Sequence, residues 1–281
     1  MRQTLHAIPG QPIHRRAREK TMKTEKLSDT VTIINADCRE WSGVADAVIS
    51  DPPYGIDWDG NCTRFTSGFG VARNNHSTIN HGGIANDKEP FDPSPWLSFR
   101  RVVLWGYPFF AGRVPVGTTL VWDKRFANGK AFLADAEIGW CKSQYAKPGP
   151  HMGGYGAYIY SQTWQGFVRS EPVEHPTQKP EKLMRWCMDK ANVAHGAIVL
   201  DPYMGSGTTG IACIRTGRRF IGIEIDEQHY QTARRRLLDE LARTNLFGQD
   251  EDARAGQGEC PGTACNSGRD AMPLDIFEGI Q

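Results

Sequence analysis

Hydrophobic and polar positions along the chain form short apolar runs, closed by acids or prolines and separated by stretches at helical spacing. Val31-Thr32-Ile33-Ile34 is a β-branched run ending in Asn35-Ala36-Asp37-Cys38, and it predicts the first strand. Residues 46–50 predict a second, whose core Ala47-Val48-Ile49 is stopped by Asp51-Pro52-Pro53-Tyr54-Gly55, since proline cannot continue a central strand. Further strands are expected over 102–105, 118–124, 136–141, 197–200 and 219–224. Helices are expected over 181–192, 210–216 and 227–244. Pro180 suits the opening of the first, with Leu183, Trp186, Cys187 and Ala191 facing inward. The last places Tyr230, Ala233, Leu237, Leu238 and Leu241 on one side. Strands and helices in this alternation predict an α/β fold.

The pattern dissolves in four places. Residues 1–26 are basic with little to bury, and read as a disordered arm. Residues 57–95 are rich in Gly, Asn, Ser, Thr, His and Pro, and read as a mobile loop ordering over a substrate, with disorder without function as the alternative. Residues 142–174 mix Lys142, Lys147, His151 and Arg169 with Tyr145, Tyr155, Tyr158, Tyr160 and Trp164. Rings stack on bases and cations pair with phosphate, so this composition suits a nucleic-acid surface; it suits a Tyr-rich loop equally well. Residues 248–281 read as a disordered tail, leaving one domain over 27–247.

Composition narrows this picture. A chain of 281 residues with 33 basic and 32 acidic groups has no global field for nucleic acid, so any such site must be local. No apolar run approaches the roughly 20 residues that span a bilayer, and the start lacks the apolar centre of a secretory signal. Seven cysteines at scattered spacings point to reduced thiols and a cytoplasmic location, and none completes a zinc set.

The chemistry concentrates at two strand ends. Asp201-Pro202-Tyr203-Met204-Gly205-Ser206-Gly207-Thr208-Thr209 joins a buried strand to a helix through glycines that let the backbone bend and approach a ligand. A P-loop is excluded, because no lysine follows Gly207. The Gly-x-Gly-x-x-Gly spacing at 205–210 is a weak signal by itself. Asp201 would repel a pyrophosphate but could pair with an ammonium group. Glu224, 19 residues after Gly205, sits where an acid accepts ribose hydroxyls. A ligand with a ribose, an amino group and no phosphate suits both acids, and S-adenosylmethionine is such a ligand. At the other strand end, Ser50 to Gly55 presents an acid, a rigid backbone and a ring together.

Asp51-Pro52-Pro53-Tyr54, His175-Pro176-Thr177-Gln178-Lys179-Pro180 and the Asp201–Thr209 block resemble, in this order, the signatures of amino-group DNA methyltransferases in their β arrangement. The resemblance covers roughly residues 31–247, with Tyr203 where the family more often has Phe. It implies a Rossmann-like S-adenosylmethionine-dependent fold: a mixed seven-stranded sheet with helices on both faces and a circularly shifted chain order. It also implies that residues 142–174 are the target-recognition region. Catalysis would rest on Asp51, Pro52, Pro53 and Tyr54. The cofactor would be held by Asp37, meeting its adenine, with Cys38, and by His175, Thr177, Gln178 and Lys179, near its methionine end. Asp201, Tyr203, Gly205, Ser206, Gly207, Thr208, Glu224 and Ile225 would complete that site.

An exocyclic amine is a poor nucleophile because its lone pair is delocalised into the ring. Asp51 and the Pro52 carbonyl can accept its two N–H groups and so favour the charge that develops in the transition state. Tyr54 can stack on a base flipped out of double-stranded DNA. No Pro-Cys pair is present to supply the thiolate that cytosine C5 methylation needs. The expected reaction is methylation of adenine N6, the kind found in restriction-modification systems, with cytosine N4 left open. Protein glutamine methylation is a weaker reading because of Asp51 and the long candidate recognition stretch, and a catalytically silent DNA-binding regulator is weaker because the Asp51–Tyr54 and Gly205–Thr209 blocks are intact. A homodimer and a partner nuclease are both compatible with the resemblance.

Overall fold

A computed structural model describes residues 22–57, 87–125, 134–142, 156–163 and 178–255, with side chains as far as residue 244. Among the described residues nine strands form one sheet: β1 (Lys23–Lys26), β2 (Val31–Asn35), β3 (Ala47–Ser50), β4 (Arg101–Trp105), β5 (Thr118–Asp123), β6 (Ala136–Lys142), β7 (Ala157–Ser161), β8 (Ile198–Asp201) and β9 (Arg219–Glu224). The described α-helices are α1 (Glu181–Lys190), α2 (Thr208–Arg215) and α3 (Glu227–Ala255). The chain divides into two units, Met1–Thr244 and Asn245–Gln281. Within the second, residues 245–255 are helical.

Strand order across the sheet is β1-β2-β9-β8-β3-β4-β6-β5-β7. Only β1 and β6 run against the rest. The mixed sheet is thus as expected, but it holds nine strands where seven were anticipated, and both additions are edges. The first edge, β1, lies inside the segment expected to be a disordered arm. A Lys26–Asp29 ion pair and the Leu27 N–H bond to the Val31 carbonyl close a hairpin. Glu25 then accepts from Arg234 and from the Tyr230 hydroxyl on α3. Lysines at both ends of β1 are typical of a guarded edge, which is why its pattern reads as unstructured. The other edge, β7, lies in the region expected to lack periodicity. It pairs parallel to β5, with Tyr158 and Ile159 exposed.

Alternate residues of each strand enter two separate cores. On one face Val31, Ile33, Ile49, Val103, Trp105, Leu120 and Phe220 pack with Leu183, Met184 and Cys187 of α1, Ile211 of α2 and Tyr230 and Leu237 of α3. On the other, Ile34, Val48, Leu104, Trp140, Leu200 and Ile223 are covered by Cys38, Phe91, Trp96 and Phe110 from loops and 3-10 turns. Helices on both faces were expected; among the described residues all three α-helices lie on one face. Buried Asp87 and Phe91 also correct the reading of 57–95 as mobile loop throughout, since Phe91 joins the core.

The ends of α1 and α2 differ from expectation by a turn or less, and α3 runs on to Ala255. Helix α1 stops at Lys190 because Asn192 adopts a left-handed φ of 52°. Helix α2 starts at Thr208, because Gly207 with φ 83° supplies the turn into it. Helix α3 continues past Gly248 into the segment expected to be tail, where Asp, Glu, Ala and Arg offer no breaker.

Candidate active site

The topology gathers the charged residues along one edge of the sheet. Asp37 follows β2, Glu224 ends β9, Asp201 ends β8, Asp51 follows β3 and Lys124 follows β5. The reversed strand β6 brings Glu137, near its start, to that same edge. From β8 the chain winds to β9, while from β3 it winds the other way to β4 and beyond. The reversal falls between β8 and β3, and crevices of open α/β sheets form at such a point, outside the carboxyl ends of the strands.

On the β8 side the loop is braced by its own acids. Asp201 is 3% exposed and accepts from Ser50 Oγ at 2.5 Å, Thr209 Oγ1 at 2.6 Å and the Tyr203 N–H at 3.2 Å. Both its oxygens therefore tie the ends of β3 and β8 to the first turn of α2. The expected ammonium contact would have to share oxygens already engaged, so Asp201 acts first as a brace. Burial carries its carboxyl up to about 6, against the pull of those donors. Glu224 lies beneath the next turn, taking the Gly205 N–H at 3.0 Å and the Asp226 N–H at 2.8 Å, and burial carries it to about 7.

The glycines divide their work. Gly205 has φ 50°, and a Cβ built there would meet nothing within 4 Å, so the loop opens onto free space at this point. Gly207 was expected to approach a ligand as well. Instead its Cβ would fall 3.1 Å from that of Ala233, so it seats the loop on α3. Gln178 accepts from Ser206 Oγ at 3.2 Å, and Arg236 donates to the Ser206 carbonyl and the Thr208 hydroxyl. Ile225 is partly buried beside Glu224. Asp37 caps a 3-10 turn, with its carboxylate gripped by Arg39. Cys38 is buried beside the Tyr203 hydroxyl, and burial pushes its thiol up to about 11.

Across the reversal stands Asp51. Its Oδ1 accepts from the Tyr54 hydroxyl and its Oδ2 from Lys179 Nζ, each at 2.5 Å. Lys179 was expected at the methionine end of a cofactor; the structure places it on the acid of the neighbouring block. Its Nζ also lies 3.0 Å from Glu137 Oε2, and Lys124 reaches Glu137 Oε1 at 2.9 Å. Burial raises the Asp51 pKa although Lys179 opposes it, and Lys179 is held well above its ordinary value by the two carboxylates although burial opposes that. Glu137 is brought down to about 2, since Lys179 and Lys124 outweigh its burial.

The Pro52-Pro53-Tyr54 tip is clamped from behind. Asp87, 2% exposed, accepts from the Gly55 N–H at 2.7 Å, and its carbonyl accepts from the Asp57 N–H. The Tyr54 ring stacks on Phe109 with centroids 4.9 Å apart and planes 10° from parallel. Gly106 passes so close that a Cβ would lie 2.1 Å from Tyr54 Cε1. Asp87, Phe109, Glu137 and Lys124 were missed by sequence reasoning. None belongs to a readable block, and only the acid-base spacing of strand ends hinted at the last two. His175 and Thr177 lie outside the described residues. No group of three or more His, Cys, Asp or Glu that could hold a metal occurs among the described residues.

The comparisons bear on the half of the site around Gly205. Residues 139–235 match a family profile described as DNA methylase. That segment, under half of the chain, is similar to the DNA methylase family. Type II methyltransferase M2.DpnII of Streptococcus pneumoniae is 48% identical over 64 residues, 23% of this chain and 24% of that protein. DNA adenine methyltransferase YhdJ of Escherichia coli (strain K12) is 37% identical over 116 residues, 39% of each chain. The chain thus spans well under half the length of these relatives. Among solved structures, that of an M1.HpyAVI–SAM complex is 22% identical, with a TM-score of 0.44 over 74% of this chain and all of that one. The matched segment contains Gln178, Lys179, the Gly205 loop and Glu224, while Asp51–Tyr54 lies ahead of it.

Proposed function

We propose that the protein transfers a methyl group from S-adenosylmethionine to the N6 amine of an adenine flipped out of double-stranded DNA. The observation that carries this is the pairing of β3 with β8, which sets partly buried Asp51 and the open Gly205 turn at the ends of adjacent strands. The site fits the methyl donor. Glu224 offers both oxygens under Gly205, each with a further lone pair for a ribose hydroxyl, and free space lies in front of the turn. Bound there, the donor supplies an electrophilic methyl on a positively charged sulfur. Asp37, Cys38, Tyr203 and Ile225 would line its base, and Gln178 and Ser206 its amino-acid end.

The chain's own residues then act on the amine. Asp51 accepts one N–H and the Pro52 carbonyl the other, which concentrates the lone pair on nitrogen and stabilises the positive charge appearing there. A partly buried acid with a raised pKa is also a suitable base for the proton the methylated amine must lose. Tyr54 holds Asp51 through its hydroxyl. Its ring already touches Phe109 at 4.9 Å, so a base cannot slip between these two and stacks on the remaining face.

The relatives' names support adenine, since YhdJ is named a DNA adenine methyltransferase. Residues 143–155 and 164–177 lie outside the described residues, so target recognition by 142–174 rests on composition and on the edge strand β7. The test is incubation of the chain with duplex DNA and isotopically labelled donor, followed by mass analysis of the nucleosides. N6-methyladenine is expected. N4-methylcytosine would move the acceptor, and no labelled base would overturn the reading.

A further inference from the structure

Lys179 is shared. Its Nζ stands 2.5 Å from Asp51 Oδ2 and 3.0 Å from Glu137 Oε2, and Glu137 is in turn held by Lys124 at 2.9 Å. The four side chains come from the β3 end, the α1 approach, the β6 start and the β5 end, so no local sequence motif unites them. Their formal charges cancel: two carboxylates, two ammonium groups.

We infer that Glu137 is a positioning residue for methyl transfer, acting through Lys179 to keep Asp51 basic enough to serve the amine. This rests on the transferase reading above. The physical reason is competition for one cation. An ammonium group committed to Asp51 alone would pair fully with it, stabilise its charged form and weaken it as an acceptor. Glu137 claims part of that charge and adds its own negative field, which favours a proton on Asp51. Lys124 moderates Glu137 from the far side. The groups facing Asp51 are Tyr54 and Lys179 in direct contact, Glu137 behind the lysine, and Asp201 on the adjacent strand β8. Lys179 faces Asp51, Glu137, Tyr54 and Cys187. Burial pushes the Asp51 pKa up most strongly, and among the charges Lys179 lowers it while Glu137 raises it.

The deciding measurement is the titration of the Asp51 side-chain carboxyl carbon by NMR, in the full chain without ligand. In Glu137→Gln the midpoint should fall by about one pH unit or more. In Lys124→Met it should rise, because Glu137 then leans wholly on Lys179 and a positive charge has gone. Opposite shifts from two neighbouring substitutions are not what general loosening of the site produces. With duplex DNA, Glu137→Gln should lose about tenfold in kcat with KM for both substrates held, and Glu137→Asp should recover most of it. An unmoved midpoint, shifts of the same sign, or a wild-type kcat in Glu137→Gln would overturn the inference. An inactive wild-type chain would sink the transferase reading, while the Asp51 titration would still decide what Glu137 does.

Discussion

The two sides of the reversal hold their acids in opposite ways. Beside β8 and β9, Asp201 and Glu224 are held by hydroxyls and backbone amides, and burial lifts them to about 6 and about 7. Across the crevice, Glu137 sits between two ammonium groups and is brought down to about 2 despite burial. Neutral dipoles orient a carboxylate but do not cancel its charge, whereas cations do. The first side is therefore a set of acceptors that ligand hydroxyls would complete. The second is a closed circuit of charge whose balance sets the basicity of one acid.

The sharpest way to break that comparison is Asp51→Ala. Methyl transfer should fall at least ~10²-fold in single-turnover assays, with donor affinity nearly unchanged by calorimetry. Transfer at the wild-type rate would leave the charged side without a catalytic role. Next in size, Glu224→Ala should weaken donor binding by roughly 10- to 100-fold while saturating kcat is largely kept. Unchanged affinity would remove the β9 end from the cofactor site.

Stability against pH separates the two sides without any ligand. Glu224 has a raised pKa in the folded chain, so its contribution to stability is complete below about 4.5 and is lost as pH rises through about 7. Urea unfolding should show wild type losing on the order of 1–3 kcal/mol more than Glu224→Gln across that window. Glu137 has a lowered pKa, so its contribution is present above the ordinary carboxylate range and fades as pH falls toward about 2. A wild-type slope in Glu224→Gln would mean that the backbone donors fully offset the burial of Glu224, leaving no raised pKa in the folded chain.

Smaller effects test the two glycines and the ring. Gly207→Ala should cost about 1–2 kcal/mol of stability, from its left-handed φ and the approach to Ala233. Gly205→Ala carries the same conformational cost, but its methyl points into open space, so its added effect should appear in donor affinity. Equal affinities in the two variants would deny that the open turn is a binding surface. Phe109→Ala should lower kcat only about 3- to 10-fold, by loosening the Tyr54 ring. An unchanged rate would show that Asp51 and Gly106 alone align it.

Much of this was legible from local pattern. The runs at 31–34, 47–49 and 219–224 were β-branched and bounded by acids, so their strands followed from side-chain shape and turn chemistry. The Asp51 and Asp201 blocks were readable because proline and glycine punctuate the chain where strands must end. The edge strand β1 escaped notice because its partner contacts, Glu25 with Arg234 and Tyr230, span the whole domain. Asp87 escaped because its hydrogen bonds to the tip cross a long loop, and a lone Asp among Asn and Gly carries no periodic signal.

What the sequence by itself determined was the set of strand ends and the identity of the acids standing at them. Those depend on neighbours in the chain, through backbone preference, the period of apolar residues and the breaking power of proline. Only the tertiary structure decided which partner each acid took. Lys179, read beside the Gly205 loop as part of a cofactor block, turned instead to Asp51 and Glu137, and Asp201 became a brace between strands. The reason is physical: a buried charge settles with whatever donors the packing brings within hydrogen-bond reach, and strand order fixes that packing across residues more than a hundred positions apart.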